Sequence, residues 1–256
     1  MRILPWLAKL SFAAFVLSLA IGVAAGFGTR LGLWDFRFGL SVLLRWCIYF
    51  GLAGFALGLV WAVWAAIANR GEAARLGAIG LIGSIAVLAT PLYGIYVAKT
   101  SPAIHDVSTD TEHPPIFVSL MSQRPGALNP PDYDGPKMAE GPDGKKATTE
   151  ALQRKYYPDI HSRAELTSPE KLFSRAQKAA EDMGWNIVSV VPDEGRIEAT
   201  DTSFWFGFTD DIVIRVKPAG VGARLDIRSK SRVGTSDIGK NAARIRAYLK
   251  KVAATS

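Results

Sequence analysis

Trp46–Ala68 reads WCIYFGLAGFALGLVWAVWAAIA and holds no charged side chain. At a helical rise of about 1.5 Å per residue, such a stretch reaches across the roughly 30 Å hydrocarbon core of a bilayer. Every backbone amide inside that core needs a partner from its own segment, so the stretch is predicted to be a transmembrane helix. Arg45 precedes it and Asn69-Arg70 follow it. Upstream, Leu10–Phe27 is equally apolar, with Trp6 and Lys9 at one end and Arg30 at the other, residues suited to the headgroup region. Downstream, Leu76–Val97 is closed by Lys99. The link Asn69–Arg75 has room only for a tight turn, so the last two spans are expected to form a hairpin.

Residues 1–100 are therefore read as an α-helical anchor of about three spans, near 10–27, 46–68 and 76–97. A cleaved secretory signal is the other reading of the first stretch, given Arg2 and Lys9 ahead of it, although its apolar run is long and no small-x-small cleavage site follows. Both readings put residues 101–256 on the exported side, as expected for a bacterial inner-membrane protein. The flanking cations give little asymmetry, with Arg2, Lys9, Arg70 and Arg75 against Arg30, Arg37, Arg45 and Lys99. Small residues recur at packing spacing at Gly22 and Gly26, Gly54 and Gly58, and Gly77, Gly80 and Gly83. They suit close helix contact within the anchor, or between copies in a homo-oligomer. No span contains Asp, Glu or His, so a transporter's proton or ion path has no candidate residues.

The formal charge of +7 divides unevenly along the chain. Residues 1–100 carry eight cations against two anions, and residues 101–256 carry 22 against 21. The surplus belongs to membrane flanks, and the near-neutral remainder argues against nucleic-acid binding. Cys47, the single cysteine, lies inside a span, which leaves no disulfide framework and no thiol nucleophile outside the membrane.

After residue 100 the chain reads as irregular, with a short strand predicted at Ile116–Leu120 and a Pro/Gly-rich loop near 122–149 that contains Asn129-Pro130-Pro131. Thr167 with Glu170 resembles a capping box. Leu172, Ala176, Ala179 and Met183 follow at helical spacing, and Gly184 stops the run. Strands are predicted at Trp185–Val191, Arg196–Thr200, Asp211–Lys217 and Ala223–Lys230. A closing helix follows, capped by Ser236 or Asp237 and carrying Ile238, Ala242, Ile245, Leu249 and Val252 on one side. That order implies an α+β two-layer domain, an antiparallel sheet with both helices on one face.

Three segments add a resemblance. PAIHDVSTD at 102–110, WFGFTDDIVIR at 205–215 and DIRSKSRVGTSDIGKNAARI at 226–245 resemble the uncharacterised proteins grouped as domain of unknown function 1499. The resemblance spans about residues 100–250 and implies one folded unit there, with no activity attached to it.

Motifs with chemical meaning each have a plainer reading. Gly234-Thr-Ser-Asp-Ile-Gly239-Lys240-Asn241 nearly spells a phosphate-binding loop. It places Asn241 where a magnesium-holding hydroxyl belongs and puts Asp237 among the amides that should cradle phosphate. No parallel strand follows, so helix capping is expected and no nucleotide. His105, Asp106, Asp110, Glu112 and His113 fit no helical metal-ligand spacing, and no metal or other cofactor is expected. Ser236 lacks the second glycine of a nucleophile elbow, and no catalytic set is recognisable.

Period-two alternation puts Arg224, Asp226, Arg228 and Lys230 on one sheet face beside Asp211, Arg215 and Lys217. This reads as a solvated face laced by cross-strand pairs, or as a polar surface for an anionic partner such as a lipid headgroup. Phe204-Trp205-Phe206-Gly207-Phe208 would plug the end of the sheet, dip into the membrane interface, or close over an apolar ligand. The preferred expectation is a non-enzymatic, membrane-anchored structural or accessory protein of the cell envelope, with the lipid bilayer and an envelope protein as partners. The alternative is a lipid or apolar-ligand module using Trp205, Phe206 and Phe208 with Arg215, Arg228 and Arg232.

Overall fold

A computed structural model describes residues 4–67 and 74–254. Two compact units result: residues 1–96 with Phe204–Gly207, and residues 97–203 with 208–256.

The first unit contains α1 (Leu4–Arg30), α2 (Leu44–Ile67) and the bulk of α3 (Ala74–Thr100). A short turn, Phe36–Phe38, and a π-helical stretch, Gly39–Leu43, lead into α2. Among the described residues, three helices are long and apolar enough to cross a membrane: Trp6–Arg30, Phe36–Ile67 and Arg75–Thr100. The second is longer than its apolar run predicts, because the Asp35 carboxylate caps its first turn at the Arg37 amide, 2.8 Å away. Residues 68–73 lie outside the described residues, and with them most of the expected tight turn.

Helix packing follows from missing side chains. Gly54 and Gly58 of α2 and Gly80 of α3 lie so close to Ser11 or its backbone that a Cβ there would come within 3.2 Å of α1. Ser11 and Ser18 donate to the carbonyls of Gly54 and Cys47, at 2.7 Å each. Where no water competes, such bonds and close backbone approach hold helices together. Gly77 lies under the Trp61 indole and Gly83 under the Phe15 ring. The glycine spacing of α2 and α3 thus serves contacts within one chain.

The second unit has β1 (Asp106–Ser108), β2 (Met138–Glu140), β3 (Lys146–Thr148), α4 (Thr149–Tyr156), β4 (Arg163–Glu165), α5 (Pro169–Asp182), β5 (Asn186–Val191), β6 (Arg196–Thr202), β7 (Thr209–Ala219), β8 (Gly222–Ser231) and α6 (Lys240–Ala254). The main sheet is antiparallel in the order β1-β8-β7-β6-β5, and β4 also pairs with β8. Ile212, Ile214 and Val216 of β7 and Leu225 and Ile227 of β8 point to one face, where Leu172 and Ala176 of α5 and Ile245 and Tyr248 of α6 cover them. Small alanines at 176, 179 and 180 let α5 lie close, and Trp185 stacks on Tyr248 with centroids 5.2 Å apart. The α+β layout read from the alternation is the one observed.

Three local expectations are corrected. Ser168, one residue after the expected Thr167, caps α5 by accepting from the Lys171 amide at 3.3 Å. Ile116–Leu120 is not a strand; a 3-10 turn occupies Ser119–Gln123. The loop near 122–149 contains the β2–β3 hairpin, and α4 follows it from Thr149.

Leu172 is fully buried at the centre of the helix-covered face. Leu172→Ala is expected to destabilise the second unit by about 2–5 kcal/mol, read as a lowered denaturant midpoint for the near-ultraviolet signal of the full chain in detergent.

Candidate functional site

The opposite face of the sheet carries the chemistry-bearing side chains. Asp211 on β7, and Asp226, Arg228 and Lys230 on β8, are each no more than 1% exposed. This corrects the expectation of a solvated face. Residues 105–134, read from the sequence as irregular, supply its partners. Alternation shows only which side chains share a face; a charge opposed by an ion pair has the same period as one opposed by water.

Arg228 is the centre of this face. Its Nε and Nη2 donate to the two Asp106 oxygens at 2.9 and 2.8 Å, a bidentate geometry that suits a planar guanidinium. Nη2 also donates to the carbonyls of Pro131 and Asp132, and the guanidinium lies over the rings of Phe117 and Tyr133 at 4.7 and 5.3 Å. The register explains the pairing: β1 sets Asp106 opposite Lys230, so its carboxylate faces the same side. Lys230 Nζ lies 3.3 Å from Asp106 and 2.7 Å from Asp134, and His105 Nε2 meets Asp134 at 2.9 Å.

Three further clusters extend the network. Asp211 accepts from Arg232 at 2.7 Å and from Arg124, whose Nη2 also reaches the Asn129 carbonyl. Asp226 and Asp110 hold Arg215 and Arg224 between them at 2.8–3.1 Å. Glu198 pairs with Arg196 and accepts from the amides of Val118, Ser119 and Leu120 at 2.9–3.1 Å. Gathering three successive amides requires a turned backbone, which is why the strand expected at Ile116–Leu120 does not form.

The six candidate ligand-binding residues are divided. Arg215, Arg228 and Arg232 belong to this network, and Phe208 is half-buried in the same unit. Trp205 and Phe206 belong to the first unit, Trp205 with its indole Nε1 on the Gly22 carbonyl at 3.2 Å. Sequence reasoning missed Arg124, Asn129 and Asp134, which lie in the stretch read as a loop. Only the family resemblance, by making residues 100–250 one unit, pointed to a packed role for that stretch.

The loop before α6 is capped from within. Asp237 accepts from the amides of Gly239 and Asn241 at 2.7 and 2.8 Å, filling the place a phosphate would take. Asn241 is buried, accepting from Ser229 at 2.7 Å and donating to the His105 carbonyl at 3.0 Å. Among the described residues, no group of His, Cys, Asp or Glu is placed to hold a metal ion.

Two carboxylates give opposite pH responses. Burial alone would raise the Asp134 pKa, but bonds from His105, Lys137 and Lys230 outweigh it and hold the group well below the usual range. Its stabilising contribution is fully present above about pH 4, the unfolded value, and is lost as pH falls through the depressed folded value. Burial pushes Asp237 up to about 6 against the capping amides. Its contribution is present below about pH 4 and is lost as pH rises through about 6. Denaturant titrations from pH 3 to 8 should therefore show a stability slope falling between pH 4 and 6 that disappears in Asp237→Asn. A separate loss below pH 4 should be reduced in Asp134→Asn.

No curated protein matches this chain in sequence. The family described as protein of unknown function (DUF1499) matches residues 106–252, the stretch that builds the sheet, both its long helices and the covering segment, and the chain belongs to that family.

Proposed function

We propose that the chain is a membrane-anchored accessory protein of the cell envelope. In this reading it sits in a bacterial inner membrane, presents residues 101–256 on the exported side to a protein partner, and performs no chemistry of its own. The three apolar helices support the anchoring. With three spans and an internal N-terminus, the remainder of the chain emerges on the exported side.

The observation that carries the reading is the outer surface of the covering segment. Ile116, Val118, Met121 and Leu128 are 67%, 48%, 47% and 56% exposed within thirteen residues of chain. Met121 also lines an open depression of about 430 Å³, with Ser122, Arg124, Pro125, Pro130 and Pro131 among its walls. Apolar side chains concentrated in this way mark a surface that another protein covers. The groups beneath it that could move protons, Asp106, Asp134, Asp211 and Lys230, are held in ion pairs within the chain, which supports a role in holding shape over one in turnover.

Cross-linking in intact membranes, followed by identification of the captured protein, tests this. A specific partner is expected, and Met121→Asp with Leu128→Asp should lower its yield about tenfold, equivalent to ~1.4 kcal/mol, with the melting temperature unchanged because both side chains are exposed. Capture that ignores these substitutions would overturn the assignment of the surface. A substrate turned over by the wild type and abolished by Lys230→Met, in a variant that still melts cooperatively, would overturn the non-catalytic reading.

A further inference from the structure

Phe204–Gly207 lies between β6 and β7 in sequence and belongs to the first unit. Its neighbours there are the last two turns of α1. The Trp205 indole covers Gly26, where a Cβ would overlap the ring, and donates to the Gly22 carbonyl at 3.2 Å. Phe206 is 7% exposed and approaches Gly39, where a Cβ would stand 3.2 Å from the ring. Gly207 has φ +70, a conformation that favours glycine, and packs against the Arg30 side chain. Phe204 is 77% exposed; its ring meets Phe27 edge to face at 5.4 Å, and its carbonyl accepts from Arg30 Nη1 at 2.8 Å.

The depth of this seat follows from the helix. The α1 span of 25 residues, Trp6–Arg30, is about 37 Å long against a hydrocarbon core of about 30 Å, so a centred span projects roughly 4 Å at each end. Gly22 lies about 12 Å along the axis from Arg30, hence about 8 Å inside the core boundary. The indole N–H therefore reaches a region without water, and the Gly22 carbonyl satisfies it. An exposed phenylalanine beside an arginine that reaches toward the headgroups has the composition of a membrane-interface anchor.

We infer that Phe204-Trp205-Phe206 is a membrane-inserted wedge: Trp205 is seated in the Gly22–Gly26 notch of α1, and Phe204 contacts lipid directly. The wedge is independent of the partner surface proposed above. It also assigns a role to Gly26 that helix spacing alone did not suggest.

The test uses the full chain in a Cys47→Ala background, reconstituted in phosphatidylethanolamine and phosphatidylglycerol vesicles. Nitroxides are placed by Phe204→Cys and, as references, by Leu17→Cys within the span and Leu31→Cys just beyond it. Power saturation with oxygen and with a water-soluble nickel complex should place position 204 between the two references, with oxygen collisions dominant. Nickel accessibility at 204 equal to or above that at 31 would overturn the inference. Adding Gly26→Leu should evict the indole and raise nickel accessibility at 204 several-fold. Trp205→Ala, which only removes atoms, should give the same shift if the leucine variant does not fold. An unchanged value in the alanine variant would reject the seat.

Discussion

The second unit depends on burying Arg228 and Lys230 together with the carboxylates that pair with them. A guanidinium and an ammonium group almost wholly removed from water, as Arg228 and Lys230 are, would each cost several kcal/mol if left alone. Asp106 and Asp134 offset that cost only because each arrives from a different part of the covering segment at bonding distance. The segment is held to the sheet in two ways. Phe117 and Leu120 pack on Val213, and ion pairs and carboxylates fix the rest of its path, with Glu198 collecting the amides of residues 118–120. Removing one partner leaves an uncompensated buried charge, so the energetics are those of mutual dependence.

This arrangement explains what could be read from the sequence and what could not. The helix-covered face was legible because its signal is local: Leu172, Ala176 and Ala179 recur at helical spacing, and Leu225 and Ile227 alternate with charged neighbours. The charged face was legible as a face, with Arg224, Asp226, Arg228 and Lys230 correctly sharing one side. Its environment was not. The partners Asp106, Arg124 and Asp134 lie about a hundred residues away, and no periodicity links them to β7 or β8. Proline- and glycine-rich chain reads as a tether because it lacks repeating hydrogen bonds, yet this stretch is held by side chains that supply the bonds instead.

The membrane unit shows a related ambiguity. Glycine spacing predicted close packing, and for Gly54, Gly58 and Gly80 the neighbour is indeed another helix of the chain. For Gly26 it is Trp205, about 180 residues later in sequence. A missing side chain specifies that something approaches closely without specifying what.

The charged face of the second unit poses a related question of chemistry. A cluster of arginines, a lysine, a histidine and several aspartates invites an active-site reading, because catalysis uses the same residue types. What separates the two is whether any charge is left over for a substrate. Around Arg228 and Lys230 the charges are matched by Asp106 and Asp134, aromatic rings cover the guanidinium, and carbonyls of residues 131 and 132 take further donors. The donors of Arg228 and Lys230 end on carboxylates and carbonyls of the same chain. The outer surface of the covering segment exposes Ile116, Met121 and Leu128 beside the polar Ser122, Gln123 and Asp132. Charge is thus used inward to fix a shape, and the proposal of a protein partner rests on the apolar side chains which that shape leaves at the surface.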